Sequence, residues 1–137
     1  PKEGLYKEIK EKTVQKGLED KVYFAGKQEN IRRYLSAMDV FLFPFVFEGV
    51  PFALIEAQAN GLACVMSEAV SEEAVVFPER VRRLSLDRDN IQWAAAVMAM
   101  SSMNREAADL IKMRLSDAHF NIETEAKRLK DLYYHTR

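Results

Sequence analysis

The chain is poor in several things, and each shortage removes a class of protein. It has one cysteine, Cys64, among 137 residues. A single thiol excludes an internal disulfide framework and a multi-cysteine zinc site. Neither sign of charge is in excess: Lys plus Arg is 20, Asp plus Glu is 21, and the formal net charge is -1. That balance gives no electrostatic reason to expect a nucleic-acid backbone or an anionic membrane as partner. No apolar run approaches the ~20 residues needed to cross a bilayer. There is no internal repeat and no low-complexity segment. The first residue is Pro1 and not Met, directly before a helical pattern, which reads as a piece of a longer polypeptide. A reducing, cytoplasmic setting is the expectation.

What is present suits one soluble domain. Hydrophobic residues make up 48% and charged residues 30%, against disorder. A chain of this size buries roughly two-thirds of its unfolded surface, enough for one core. Leu5, Ile9 and Thr13 recur every four residues among Lys and Glu and predict an amphipathic helix ending near Gly17, a left-handed cap. Val22-Tyr23-Phe24-Ala25 predicts a strand between Lys21 and Gly26. Asn30 is placed to cap a helix through Ile31, Tyr34, Leu35 and Met38.

Val40-Phe41-Leu42-Phe43-Pro44-Phe45 is continuously apolar and predicts a strand buried on both faces, with Pro44 at its end. Glu48-Gly49-Val50-Pro51 is turn chemistry, and Pro51 suits the first turn of a helix running through Leu54, Ile55, Ala57, Gln58 and Ala59 to Gly61. Ala63-Cys64-Val65-Met66-Ser67 predicts a third strand, and Arg82-Arg83-Leu84-Ser85-Leu86 a fourth. The remainder reads as helices. Trp93, Val97 and Met100 share one face, Leu110, Ile111 and Leu115 another, and Ile122, Ala126, Leu129 and Tyr133 a third. Short apolar strands alternating with helices predict βαβ units. The expected fold is an α/β, Rossmann-like three-layer αβα arrangement with an incomplete parallel sheet of about four strands and a helical C-terminus.

The stretch from Phe43 to Ser67 carries the chemistry. A buried strand ends, a loop holds Glu48, and a helix then starts and carries Glu56. Ligands of open α/β sheets bind at the carboxyl ends of strands. A helix N-terminus there offers unpaired N–H groups that suit a diphosphate. Gly49 allows close backbone approach, and Pro51 has no N–H, which leaves Val50, Phe52 and Ala53 as donors. A carboxylate accepts strong hydrogen bonds from sugar hydroxyls. Two glutamates eight positions apart suit two hydroxyl-rich groups at opposite ends of one ligand. Taken bare, Glu48 also reads as a polar loop residue beside a helix dipole, and Glu56 as a solvated helix residue.

Glu48 and Glu56 in the setting Pro44-…-Glu48-Gly49-Val50-Pro51-…-Glu56-Ala57-Gln58-Ala59-Asn60-Gly61 resemble the paired-glutamate motif of retaining GT-B glycosyltransferases. The ordered string Val22-Tyr23-Phe24-Ala25-Gly26, Asp39-Val40-Phe41-Leu42-Phe43-Pro44, the Glu motif and Cys64-Val65-Met66-Ser67 resembles family 4 of that group. With Ser71-Glu72-Glu73 and Leu84-Ser85-Leu86 it is similar to the capsular and exopolysaccharide branch. The resemblance covers about residues 1–97 and implies that residues 1–137 are a partial C-terminal donor-binding domain, with an N-terminal acceptor domain upstream. It implies a nucleotide-sugar donor, UDP- or GDP-linked, no metal and no other cofactor. It places Glu48 near the transferred sugar as the catalytic carboxylate and Glu56 on the ribose hydroxyls. Backbone N–H groups from Gly49 to Ala53 would face sugar and phosphates, and Lys27 and Gln28 the base. The acceptor would be a saccharide or a lipid-linked saccharide, and the parent enzyme would be cytoplasmic or peripheral at the inner face of the membrane. The isolated piece would be inactive.

The same resemblance implies that Pro1 follows a Gly-rich turn and that two upstream strands lie centrally in the sheet. The strand around Phe24 would then lack its neighbour, so an unusual edge, a rearrangement or chain–chain pairing is expected. Phe45 stands where a small polar residue is common and is expected to crowd the pocket; Ala63 stands in place of a proline. Elsewhere the plain readings hold. Cys64 reads as an inert core thiol. Lys27 on its own reads as a solvated loop charge, and Arg80, Arg82 and Arg83 as a solvated face. His119 and His135 lie far in sequence from the Glu motif, and Met98, Met100 and Met103 read as packing. Tyr133 and Tyr134 suit either an interface or closure of the core. A non-catalytic flavodoxin-like regulatory or scaffold module is the alternative from another class, and a nucleotide-sugar epimerase of similar architecture a third.

Overall fold

The structure, a computed structural model, describes residues 3–135; Pro1 lies outside them. The chain divides into two compact units, Pro1–Asn30 and Ile31–Arg137.

In the first unit α1 spans Glu3–Gln15. Gly17 adopts φ 61°, and the turn closes through Gly17 N–H to Val14 and Leu18 N–H to Thr13, at 2.9 and 3.0 Å. This is the left-handed cap that the sequence predicts. The rings of Tyr6 and Phe24 meet edge to face at 5.4 Å. Residues 22–25 are not a strand, which corrects the sequence reading. A strand persists only where a ladder satisfies its backbone groups, and all three strands of the sheet belong to the second unit. The β-branched and aromatic character of Val22 and Tyr23 expresses propensity alone, and propensity yields to context.

The second unit holds the sheet. β1 is Val40–Phe43, β2 is Ala63–Ser67 and β3 is Val81–Leu84, in the order β1-β2-β3 and all parallel. There are three strands where about four were expected, because residues 22–25 do not join. α2 (Ile31–Ala37) leads into β1, α3 (Phe52–Ala59) connects β1 to β2, and two 3-10 turns, Glu72–Ala74 and Pro78–Arg80, lead into β3. α4 (Asn90–Ser101), α5 (Ala108–Asp117) and α6 (Ile122–His135) follow.

Alternation sorts the sheet into two faces. The pairings Phe41–Cys64–Val81 and Phe43–Met66–Arg83 put one set of rows toward α3. There Leu35, Phe43, Leu54, Ala57, Leu62, Cys64 and Met66 form the core with Val70 and Ala74. α4 touches all three strands and carries Asp89 as its N-cap, whose carboxylate accepts Gln92 N–H at 2.8 Å. Trp93, Val97 and Met100 are half-buried, as their shared face predicts. β2 is buried at every residue. β1 is not: Leu42 is 47% exposed and Phe43 alone is buried. An apolar run therefore marks β1 as a strand, but its burial on both faces needed a neighbour that the ladder does not supply. Ile122, Leu129, Tyr133 and Tyr134 are exposed, so the tyrosines close no core among the described residues.

Two polar devices hold α3 in place. The helix ends in a Schellman motif: Gly61 N–H bonds Gln58 at 2.9 Å and Leu62 N–H bonds Ala57 at 3.1 Å, with Gly61 at φ 75°. A Cβ at Gly61 would lie 3.0 Å from the backbone nitrogen of Glu106, so glycine is required twice over. Within the helix, Gln58 is buried and all its amide capacity is used in the core. Its nitrogen donates to Leu54 and Ala74 carbonyls at 3.1 and 2.7 Å, and its oxygen accepts Val76 and Phe77 N–H at 2.8 and 3.1 Å. The Gln58 side chain thus completes a backbone ladder for residues 74–77 that no strand provides.

Replacing Gln58 by Leu keeps volume and orphans two buried amides. Urea unfolding is expected to show a loss of about 3 kcal/mol at unchanged slope; a loss below about 1 kcal/mol would show that the amide is not holding this segment. Burial pushes the Cys64 thiol up to about 12, with Arg80 pulling weakly the other way. A thiol-specific disulfide reagent at pH 8 is expected to label Cys64 at least ~1,000-fold more slowly in the folded chain than in urea. Equal rates would contradict the buried placement.

Candidate functional site

The site is built where β1 ends. Beyond Phe43 the chain leaves the sheet through Pro44 and Phe45, and the Phe45 ring stacks on Phe43 at 4.4 Å. The Ser67 hydroxyl, at the end of β2, donates to the Phe45 carbonyl. Three residues on, Glu48 pairs with Val70 as an isolated parallel bridge, and its carbonyl accepts Ser71 N–H at 3.2 Å. The loop is therefore fastened at two points to the end of β2 and the turn after it. Between them Val46 and Phe47 are exposed, Phe47 at 82%.

Glu48 is half-buried, and Gly49 and Val50 are exposed. Pro51 is buried and is the N-cap of α3, one position before the first turn that the sequence reading gave it. Its carbonyl accepts Leu54 and Ile55 N–H at 3.0 and 3.3 Å. The amides of Phe52 and Ala53 precede those bonds, and Pro51 offers no side-chain cap, so they remain available at the positive end of the helix. Both residues are exposed. Glu56 sits in the second turn of α3, exposed, on the face away from Leu54, Ala57 and Gln58.

Glu56 lines a cavity of about 500 Å³ between α2, α3 and the start of α5, with Ile31, Arg32, Ser36, Asn60 and Arg105 among its walls. Glu48 is not among that cavity's lining residues. Arg105 is already engaged. One guanidinium nitrogen bonds the Asn60 carbonyl and side-chain oxygen, each at 2.8 Å; the other bonds the carbonyls of Leu35, Ser36 and Met38 at 2.8, 3.0 and 2.7 Å. A cation at the carboxyl ends of two helices satisfies orphan carbonyls and opposes both dipoles. Arg32 is exposed at the mouth.

Lys27 and Gln28 belong to the first unit, apart from the unit that carries Glu48 and Glu56. Lys27 is exposed, and the Gln28 amide donates to the Ala25 carbonyl within its own loop. Among the described residues no group of three His, Cys, Asp or Glu side chains could hold a metal ion. His119 adopts φ 61° just after α5, and its ring nitrogen lies 2.7 Å from the carboxylate of Glu125 in the first turn of α6.

The basic run corrects the sequence reading in two of its three members. Arg82 is solvated, as expected. Arg80 is buried: one nitrogen bonds the carbonyls of Gly61, at 3.2 Å, and Asn104, and the other lies 3.5 Å from Glu106. Arg83 is half-buried, donates to the carbonyls of Glu68 and Val70 at 3.0 and 3.2 Å, and pairs with Glu72. A run of arginines looks like a surface because the sequence does not display the free carbonyls that draw them inward. Gln58, Ser67, Arg83 and Arg105 are the supporting residues that sequence reasoning missed. The strand period, which puts Arg83 on the Phe43–Met66 row, was the one available signal for any of them.

A family model described as Glycosyl transferases group 1 matches residues 2–103. Among curated proteins, the chain is 32% identical over 126 residues to the putative glycosyltransferase EpsF of Bacillus subtilis (strain 168), covering 92% of this chain and 33% of that one. It is 34% identical over 116 residues to the amylovoran biosynthesis glycosyltransferase AmsK of Erwinia amylovora, covering 79% and 28%. Over 62 residues it is 36% identical to the UDP-Gal:alpha-D-GlcNAc-diphosphoundecaprenol alpha-1,3-galactosyltransferase of Escherichia coli, covering 45% and 16%. No solved structure matches. The chain spans about a third of the length of the first curated relatives it matches. The flavodoxin-like scaffold reading is not favoured: the match runs through the whole of β1, the Glu48 loop, α3, β2 and β3, and the chain belongs to the glycosyl transferases group 1 family.

Proposed function

We propose that this chain is the nucleotide-sugar donor-binding part of a retaining hexosyltransferase that builds a polysaccharide. The observation that carries the reading is the unit at the end of β1: a fastened loop with Glu48, free amides at the start of α3, and Glu56 one helical turn further on. In this reading the Glu48 carboxylate stands beside the transferred sugar. The Phe52 and Ala53 amides, with Gly49 and Val50 before them, receive the diphosphate. Glu56 accepts hydrogen bonds from the ribose hydroxyls. The bond that breaks joins the anomeric carbon to the diphosphate oxygen. Negative charge grows on the leaving diphosphate, and a helix N-terminus lowers its energy without a metal ion. An acceptor hydroxyl forms the new bond on the face the diphosphate leaves, and its proton passes to the departing diphosphate oxygen.

The donor is UDP- or GDP-linked. The acceptor is a saccharide or lipid-linked saccharide held by a domain outside this chain. The Escherichia coli relative, whose name gives a diphosphoundecaprenol-linked acceptor, supports a lipid-linked choice and work at the cytoplasmic face of a membrane. No described helix is long and apolar enough to cross one.

In the full-length polypeptide, Glu56→Ala is expected to weaken UDP or GDP binding about tenfold or more by calorimetry, the loss of hydrogen bonds to a charged acceptor. Binding of neither nucleotide by the unaltered protein, or no loss on substitution, overturns the reading. The 137-residue chain alone is expected to transfer no measurable sugar, because positioning of donor against acceptor supplies much of the rate; turnover by the purified chain would show that no second domain is needed.

A further inference from the structure

We infer that Arg83 is a positioning residue that sets the height of Glu48 through the turn after β2. The inference rests on the proposed role of Glu48 beside the transferred sugar. Among the described residues the Glu48 side chain makes no hydrogen bond or ion pair, so what fixes it is its main chain. That main chain is held by its bridge to Val70, in which Ser71 N–H donates to the Glu48 carbonyl at 3.2 Å. Val70 is fully buried, yet the turn containing it has few bonds of its own: Val70 N–H reaches Ser67 at a long 3.3 Å, and Glu68 N–H reaches Leu84 at 2.9 Å. The carbonyls of Glu68 and Val70 point to one side, and one nitrogen of Arg83 takes both, at 3.0 and 3.2 Å.

Arg83 reaches them because parallel pairing sets it opposite Met66, which in turn faces Phe43, the last residue before the site loop. Its ion pair with Glu72 is a poor explanation for its place, since the Glu72 side chain is 79% exposed and exposed pairs contribute little. The Arg83 side chain is 28% exposed, and its Nε is buried without a partner, a cost tolerated where the remaining donors serve two backbone carbonyls. The chain of contact runs from the Arg83 guanidinium to the Val70 carbonyl, to the Val70–Ser71 backbone, to Glu48. Glu56 stands outside it, on α3, which is held by Gln58 and the Gly61 cap. The two carboxylates therefore have separate supports, and removing one support should leave the other's ligand contact in place.

The test compares the full-length polypeptide with its Arg83→Met, Arg83→Lys and Glu48→Gln forms. Arg83→Met is expected to speed amide exchange in residues 67–71 and 45–48 about tenfold with α3 unchanged. It is expected to lower kcat about tenfold and to leave the dissociation constant of the free nucleoside diphosphate within about twofold, the split of a residue that acts on the reacting sugar alone. Arg83→Lys, which keeps a donor for both carbonyls, is expected to recover most of the exchange protection and of kcat. Unchanged exchange in the loop, unchanged kcat despite an opened loop, or nucleotide affinity falling together with kcat each overturns the inference. Glu48→Gln separates the two levels. If it transfers sugar at the unaltered rate, the role of Glu48 fails and the inference fails with it. If it is inactive while Arg83→Met is fully active, only the inference fails.

Discussion

The side chain of Gln58 is the interaction on which most of this structure depends. It joins α3 to residues 74–77, the segment that must cross from β2 to β3 without a strand or a long helix of its own. Backbone polar groups buried without partners cost free energy comparable to a lost hydrogen bond each. A crossover this short runs under a helix and has no water to turn to. An amide, with two donors and an acceptor of two lone pairs, is the one uncharged side-chain group able to serve two carbonyls and two N–H groups at once. Once residues 74–77 are held, Phe77 is fully buried and β3 is delivered in register with β2. The same bonds fix α3 from inside, so Glu56 is presented on its outer face.

The arginines play a related part. The near-neutral balance of the chain suggests that basic residues serve no large anionic surface, and the structure uses three of them to collect backbone carbonyls. Arg105 gathers the carboxyl ends of α2 and α3, Arg80 takes the Gly61 carbonyl below them, and Arg83 takes the turn after β2. A planar guanidinium with five N–H groups fits such clusters better than an ammonium does. Parallel sheets create this demand, because every βα and αβ junction ends a run of hydrogen bonds. Arg105 and Arg80 close the end of the sheet remote from the Glu loop, and Arg83 works at the Glu-loop end. That end is left with unpaired amides at Phe52 and Ala53, which is where an anion can be received.

Much of the architecture was legible, for identifiable reasons. The run 40–43 and the run 63–67 are strands because continuous apolar character over so short a length fits a parallel sheet. Gly17 and Gly61 end helices because only glycine takes a left-handed conformation without penalty, and Gly61 proved also to lie against the Glu106 backbone. The Glu48–Glu56 order was read from residue types and spacing. Residues 22–25 misled because strand propensity describes a fit to a sheet and does not supply one. β1 misled in degree: its composition suits burial on both faces, while its ladder has one neighbour. Arg80 and Arg83 were taken for a solvated face because sequence shows charges but not the carbonyl groups they meet.

The sequence by itself determined most of the element order, the family, and that Glu48 precedes α3 while Glu56 lies within it, because these follow from local periodicity, turn residues and spacing. Tertiary structure alone decided which polar groups hold those carboxylates. Three of the four partners of Gln58 lie 16 to 19 residues away, the carbonyls that Arg83 bonds 13 and 15, and the partners of Arg105 45 to 70. Contacts over such separations exist only after the crossovers have closed, so no local pattern in the chain could announce them.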